Sequence, residues 1–183
     1  MQRYEKMISG MYLGEITRQL CVSMSAAGAL NPHSSQVPGT LLATPWALTT
    51  SMVSDIVSDT STDLSTCARV LMEGSGLDPA ILTAIDRRVI QELCTLVGRR
   101  AARVAAVGVA AVLMQCGTDG LGVHVGFDGS VFKRFPRFQE WMAEALGELG
   151  CSPSLVMTED GSGIGAALVA AVAISGGAVR AKA

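Results

Sequence analysis

Large rings are scarce in this sequence. Two Trp, two Tyr and four Phe among 183 residues leave Ala, Val, Leu, Ile and Met to build the core. A chain of this length can still bury a substantial one. Charge is thin as well, at 16% of residues with a formal net charge of −2. No basic stripe interleaved with aromatics runs along the chain, which argues against a nucleic-acid partner. Arg99, Arg100 and Arg103 form the nearest cluster and read as the solvated face of a helix. There is no CxxC pair, the five cysteines are an odd number, and no secretory leader opens the sequence. Reduced, mostly buried thiols in a cytoplasmic protein are therefore expected. His33 and His124 stand apart from other ligand-type residues, so no protein-held metal is expected. Charge is also missing from Gly161 to Val179. That stretch approaches bilayer length, but its Gly, Ser and Ala content reads as a buried core helix rather than a membrane span.

What is present is a strong helical periodicity broken by a few short strands. Met7, Met11 (or Tyr12), Ile16, Leu20 and Met24 predict a helix from Tyr4 to about Ala26, stopped by Gly28. Asn31–Trp46 reads as a loop. Leu48–Ser58 predicts a helix capped from Thr49, Thr50 or Ser51, and Cys67–Glu73 a brief one closed by Gly74-Ser75-Gly76. The longest helix is expected to open at Pro79, with Ile81, Ile85, Val89, Leu93, Val97, Ala101, Val104 and Gly108 facing inward. Strands are expected at Leu121–Phe127 and Leu155–Thr158, with Val131–Lys133 strand-like. Helices are expected at Phe135–Leu149, with Pro136 in the first turn, and at Gly163–Ser175. This is an α/β layered order. Two sheet strands are too few for so many helices, so the chain reads as a piece of a longer protein.

Three segments bear on chemistry. The first is Arg3-Tyr4-Glu5-Lys6-Met7-Ile8-Ser9-Gly10-Met11-Tyr12-Leu13-Gly14-Glu15-Ile16. The others are Gly-centred turns that end strand-like runs: Asp128-Gly129-Ser130 after Val123–Phe127, and Glu159-Asp160-Gly161-Ser162-Gly163 after Leu155–Thr158. A strand followed by a Gly/Ser turn and a helix presents main-chain N–H groups to a phosphorylated ligand. Each turn alone is ordinary punctuation. On the residues alone, Glu5 reads as a carboxylate at the positive end of a helix, Thr50 and Ser54 as helix polarity, and Gly10 as a close-packing position.

In order, the three segments resemble the C-terminal part of the large domain of the eukaryotic hexokinase/glucokinase family. The resemblance implies an incomplete ribonuclease H-like large domain of the actin-like ATPase and sugar-kinase type, a mixed sheet flanked by helices. It implies ATP-dependent phosphorylation of a hexose such as glucose at the 6-hydroxyl, the first step of glycolysis, with Mg²⁺ carried by the nucleotide. Glu5 would accept hydrogen bonds from sugar hydroxyls. Gly10, Met11, Thr50, Ser54, Asp128, Gly129, Ser130 and Val131 would face ATP. Gly163 and Gly165 would let the last helix lie close to the sheet, and Glu15 would serve helix packing or a salt bridge. The family's base Asp, and hence any catalytic residue, would lie upstream. Ile164 departs from the family, in which a basic residue is common there. A non-catalytic, regulatory hexokinase-like module is the alternative. Either reading of the site requires the helix near residue 10, the 50–54 hydroxyls and the 128–130 bend to line one cleft.

Overall fold

A computed structural model describes residues 2–31, 40–73, 81–158 and 161–174. The expectations at His33, Gly74-Ser75-Gly76, Pro79 and Glu159-Asp160 lie outside them, as does much of the 31–46 loop.

The first predicted helix is two. α1 (Arg3–Ile8) stops at Ser9, whose ψ of 135° turns the chain out of helical geometry, and α2 (Gly10–Ala26) starts anew. Ser9 caps α2 by accepting from the Met11 amide at 3.4 Å. Leu13, Thr17, Cys21 and Ser25, one turn apart, form the buried face of α2, and Gly28 ends the segment with φ 75°. α3 (Thr50–Val57) is capped by Thr49, and α4 (Ser65–Met72) follows.

α5 (Ala84–Gln115) is the central element, in contact with α1, α2, α3, α4 and, most extensively, α7 (Phe138–Glu148). Its buried stripe keeps Val97 and Ala101 as predicted, with Val89, Leu93, Val104 and Gly108 half-buried, but departs from the prediction in the first turn. Asp86, Ile90, Cys94, Val97, Ala101, Ala106 and Ala110 point inward, whereas Ile85 is 74% exposed. The cause is the helix start. Asp86 closes a capping box with Thr83 and also accepts from the Asn31 amide at 3.0 Å, so its carboxylate must face the α2 end.

β1 (His124–Phe127) and β2 (Ser154–Met157) pair in parallel, with His124 opposite Ser154 and Phe127 opposite Met157. Val125, Phe127, Leu155 and Met157 turn toward the core, while His124, Gly126, Ser154 and Val156 face out. Between the strands, Val131–Lys133 is not strand-like but lies in α6 (Ser130–Arg134), and Pro136 sits in the turn before α7. Gly129, at φ 146°, allows β1 to bend into α6. Phe132 stacks on Phe127 at 4.2 Å between ring centroids, and Phe132 and Phe135 are both core residues.

α8 (Gly161–Ile174) corrects the sequence reading most sharply. Predicted to be buried, it leaves Leu168, Val169 and Ile174 mostly exposed, and nothing lies within 4 Å of a Cβ position on Gly165. No described helix is long and apolar enough to cross a membrane.

Candidate functional site

Three helix starts converge beside the sheet: Gly10 of α2, Thr50 of α3 and Ser130 of α6. Each brings first-turn N–H groups and the positive end of a helix dipole to the same region, although Ser9 caps the Met11 amide and Thr49 the Met52 amide. Gly10, Thr50, Ser54, Ser130 and Val131 line a cavity of about 200 Å³, joined by Ser51, Arg134 and Phe135. A neighbouring cleft of about 560 Å³ is lined by Glu5, Gly10, Met11, Asp128, Gly129, Ser130 and Val131, among others. Gly10, Ser130 and Val131 border both cavities. The nine positions assigned to sugar or nucleotide by resemblance therefore lie on one or both of two cavities that share lining residues, whereas Glu15, Gly163 and Gly165 border neither.

The local chemistry explains this placement. Thr50 donates from its hydroxyl to the Gly10 carbonyl and accepts from the Gly14 amide at 3.2 Å, which fastens α3 to the start of α2. Ser54, one turn on, donates weakly to the Arg134 carbonyl at 3.5 Å and so links α3 to α6. The hydroxyls share a face as predicted, but both are engaged with main chain. Gly14 must be glycine for this docking, because a Cβ there would overlap the Leu48 carbonyl oxygen.

Glu5 is exposed on the first turn of α1 and borders the larger cleft. Met11 is 73% exposed, so its side chain offers a cover rather than a floor. Asp128 and Ser130 are exposed at the mouth. Arg134 was not anticipated. It follows Lys133 in the last turn of α6, and the sequence signal available was the basic pair closing the motif begun by Asp128. Three helix starts with a guanidinium nearby, plus Val131 and Phe135 as apolar wall, suit a ligand with one anionic and one flat apolar end. Among the described residues, no three His, Cys, Asp or Glu side chains are grouped to hold a metal ion.

Glu15 has a structural task. Arg18 donates two hydrogen bonds of 2.7 Å to its carboxylate, which also accepts from the Trp46 amide at 2.7 Å and from Gln19 at 2.9 Å. The Arg18 contacts above all hold its pKa down at about 2. Burial pushes the thiols of Cys21 and Cys67 up to about 12, so neither is a nucleophile near neutral pH.

The hexokinase family model matches residues 1–172. The chain is 37% identical to Hexokinase-3 of Oryza sativa subsp. japonica, over 93% of this chain and 37% of that protein. It is 40% identical to Hexokinase-2 of Homo sapiens, over 94% of this chain and 18% of that one. Its structure is similar to that of a hexokinase from Schistosoma mansoni complexed with glucose, with a TM-score of 0.79, 33% identity and coverage of 92% and 37% of the two chains. The chain thus spans well under half the length of these relatives.

Proposed function

Because the chain belongs to the hexokinase family, we propose that it forms the nucleotide-facing part of an ATP-dependent hexokinase that phosphorylates glucose or a similar hexose at the 6-hydroxyl. The observation behind this reading is the shared cavity of Gly10, Thr50, Ser54, Ser130 and Val131. Val131 and Phe135 supply apolar surface for the adenine, and the helix starts at Gly10, Thr50 and Ser130 favour the charged end of the nucleotide. Mg²⁺ enters with ATP and offsets phosphate charge during transfer. Glu5, on the adjoining cleft, accepts from sugar hydroxyls. None of these 183 residues is assigned as the carboxylate base, which the family resemblance locates outside them.

Calorimetric titration with MgATP tests the nucleotide site. The unaltered chain should bind, and Ser130→Trp, at an exposed position on both cavities, should not. No binding by the chain, or equal binding by the variant, overturns the assignment. In a longer parent, Glu5→Ala should raise the KM for sugar strongly and leave that for ATP nearly unchanged. An unchanged sugar KM removes Glu5 from the site. The 183-residue chain alone should show no glucose-dependent ADP production.

Ile164, 55% exposed where the family often has a basic residue, favours a second reading: a non-catalytic hexokinase-like module with a regulatory or partner-binding role. Absence of sugar phosphorylation by the longer parent, with MgATP binding retained, selects it.

A further inference from the structure

On a different face of α1 from Glu5 lies a cleft of about 520 Å³ that the kinase reading does not use, lined by Lys6, Tyr12, Glu15, Leu20, Trp46 and Arg100 among others. Its wall is an aromatic pair. Trp46 meets Tyr12 edge-on, with centroids 6.0 Å apart and planes at 66°, and remains 55% exposed. Holding it there is costly, since Trp46 has φ 65°, a conformation a bulky residue rarely adopts. The conformation is secured by the amide of Trp46 itself, which donates to Glu15.

Charge in the cleft is one-sided. Its single carboxylate, Glu15, is neutralised by the two-pronged contact from Arg18. Lys6 lies over the Tyr12 ring, with Nζ 5.9 Å from the centroid, and Arg100 reaches the Met7 carbonyl at 3.2 Å. Among the described residues neither cation has a carboxylate partner. Leu20, 39% exposed, and the half-buried Ile16 extend the apolar floor along α2. The volume is that of a small-molecule site.

We propose that this cleft binds a small carboxylate with an apolar body. The body packs on Tyr12, Trp46 and Leu20, and the carboxylate pairs with Lys6 and Arg100. The site is independent of nucleotide or sugar binding, so failure of either proposal leaves the other standing.

Octanoate and octan-1-ol, alike in tail and different in charge, are suitable probes. The sequence has two Trp, and Trp141 is 2% exposed, so acrylamide quenching of the intact chain reports on Trp46. Octanoate should protect Trp46 saturably, and octan-1-ol should bind about tenfold more weakly or less. Lys6→Gln, an exposed change, should weaken octanoate binding by about tenfold. Trp46→Gly, which suits the positive φ, should abolish binding in calorimetry without lowering the Tm. No protection by octanoate, equal binding of the alcohol, an unchanged affinity in Lys6→Gln, or retained binding in Trp46→Gly each overturns the proposal.

Discussion

Gly10 and Val131, which both line the smaller cavity, pack so closely that a Cβ on the glycine would lie 2.6 Å from Cγ2 of the valine. One residue begins α2 and the other follows the bend after β1, so their contact holds two walls of the cavity together. Val131 is β-branched and has few rotamers to retreat into. Gly10→Ala should therefore displace Val131 and distort the cavity at a stability cost within the about 1–3 kcal/mol typical of overpacking, and MgATP affinity of the folded variant should fall by about tenfold or more. A variant that binds MgATP normally would show that the nucleotide sits elsewhere.

Gly14 predicts the opposite balance. Its missing Cβ leaves room for the Leu48 carbonyl and the Thr49 backbone, which cannot swing aside as a side chain can. Gly14→Ala should cost stability at or above the upper end of the about 1–3 kcal/mol typical of overpacking. Thr50→Val, which removes the hydroxyl that joins Gly10 and Gly14, should cost about 1 kcal/mol or more. Denaturant midpoints would check both, and a Gly14→Ala midpoint equal to the parent's would contradict the close approach.

Acid should loosen the α2 region through Glu15. Its folded pKa, about 2, lies below the unfolded carboxylate value of about 4.3. The contribution to stability is therefore complete above that unfolded value and is lost as pH falls toward 2. The Tm difference between the parent and Glu15→Gln should shrink between about pH 4.5 and 2. A gap that stays constant over this window would mean that the charge on Glu15 does not matter.

Thiol chemistry should separate Cys116 from the rest. Cys116 is exposed, whereas Cys21, Cys67, Cys94 and Cys151 are buried, and burial raises the pKa of the first three of these. A disulfide reagent near neutral pH should titrate one thiol quickly and four only after denaturation. Rapid reaction of Cys67 or Cys94 would indicate an opening of the α4–α5 packing.

The helices and both strands were legible in the sequence because their periodicity is local. Tertiary demands hid the rest. The Ile85 stripe fitted a four- to three-residue step, yet Asp86 turns inward because its carboxylate serves Thr83 and Asn31 together. Val131–Lys133 carries strand-favouring Val and Phe over too few residues to be decisive, and the bend at Gly129 starts a helix instead. Ser9 broke a helix whose apolar spacing runs through it without interruption. At the candidate site the eight positions expected to face a nucleotide came from resemblance, and their spread over more than a hundred residues carries no local signal. Trp46, in a stretch read as plain loop, gave no warning that a polar partner from α2 would fix its backbone.

α8 leaves aliphatic side chains in contact with water along much of its length, including Ile164, Leu168, Val169 and Ile174. Such a flank is adhesive, because apolar surface that finds no cover is driven against any other it meets. Purification of these 183 residues by themselves thus invites clumping as concentration rises, and dilute handling or a mild detergent becomes a practical requirement for every titration above.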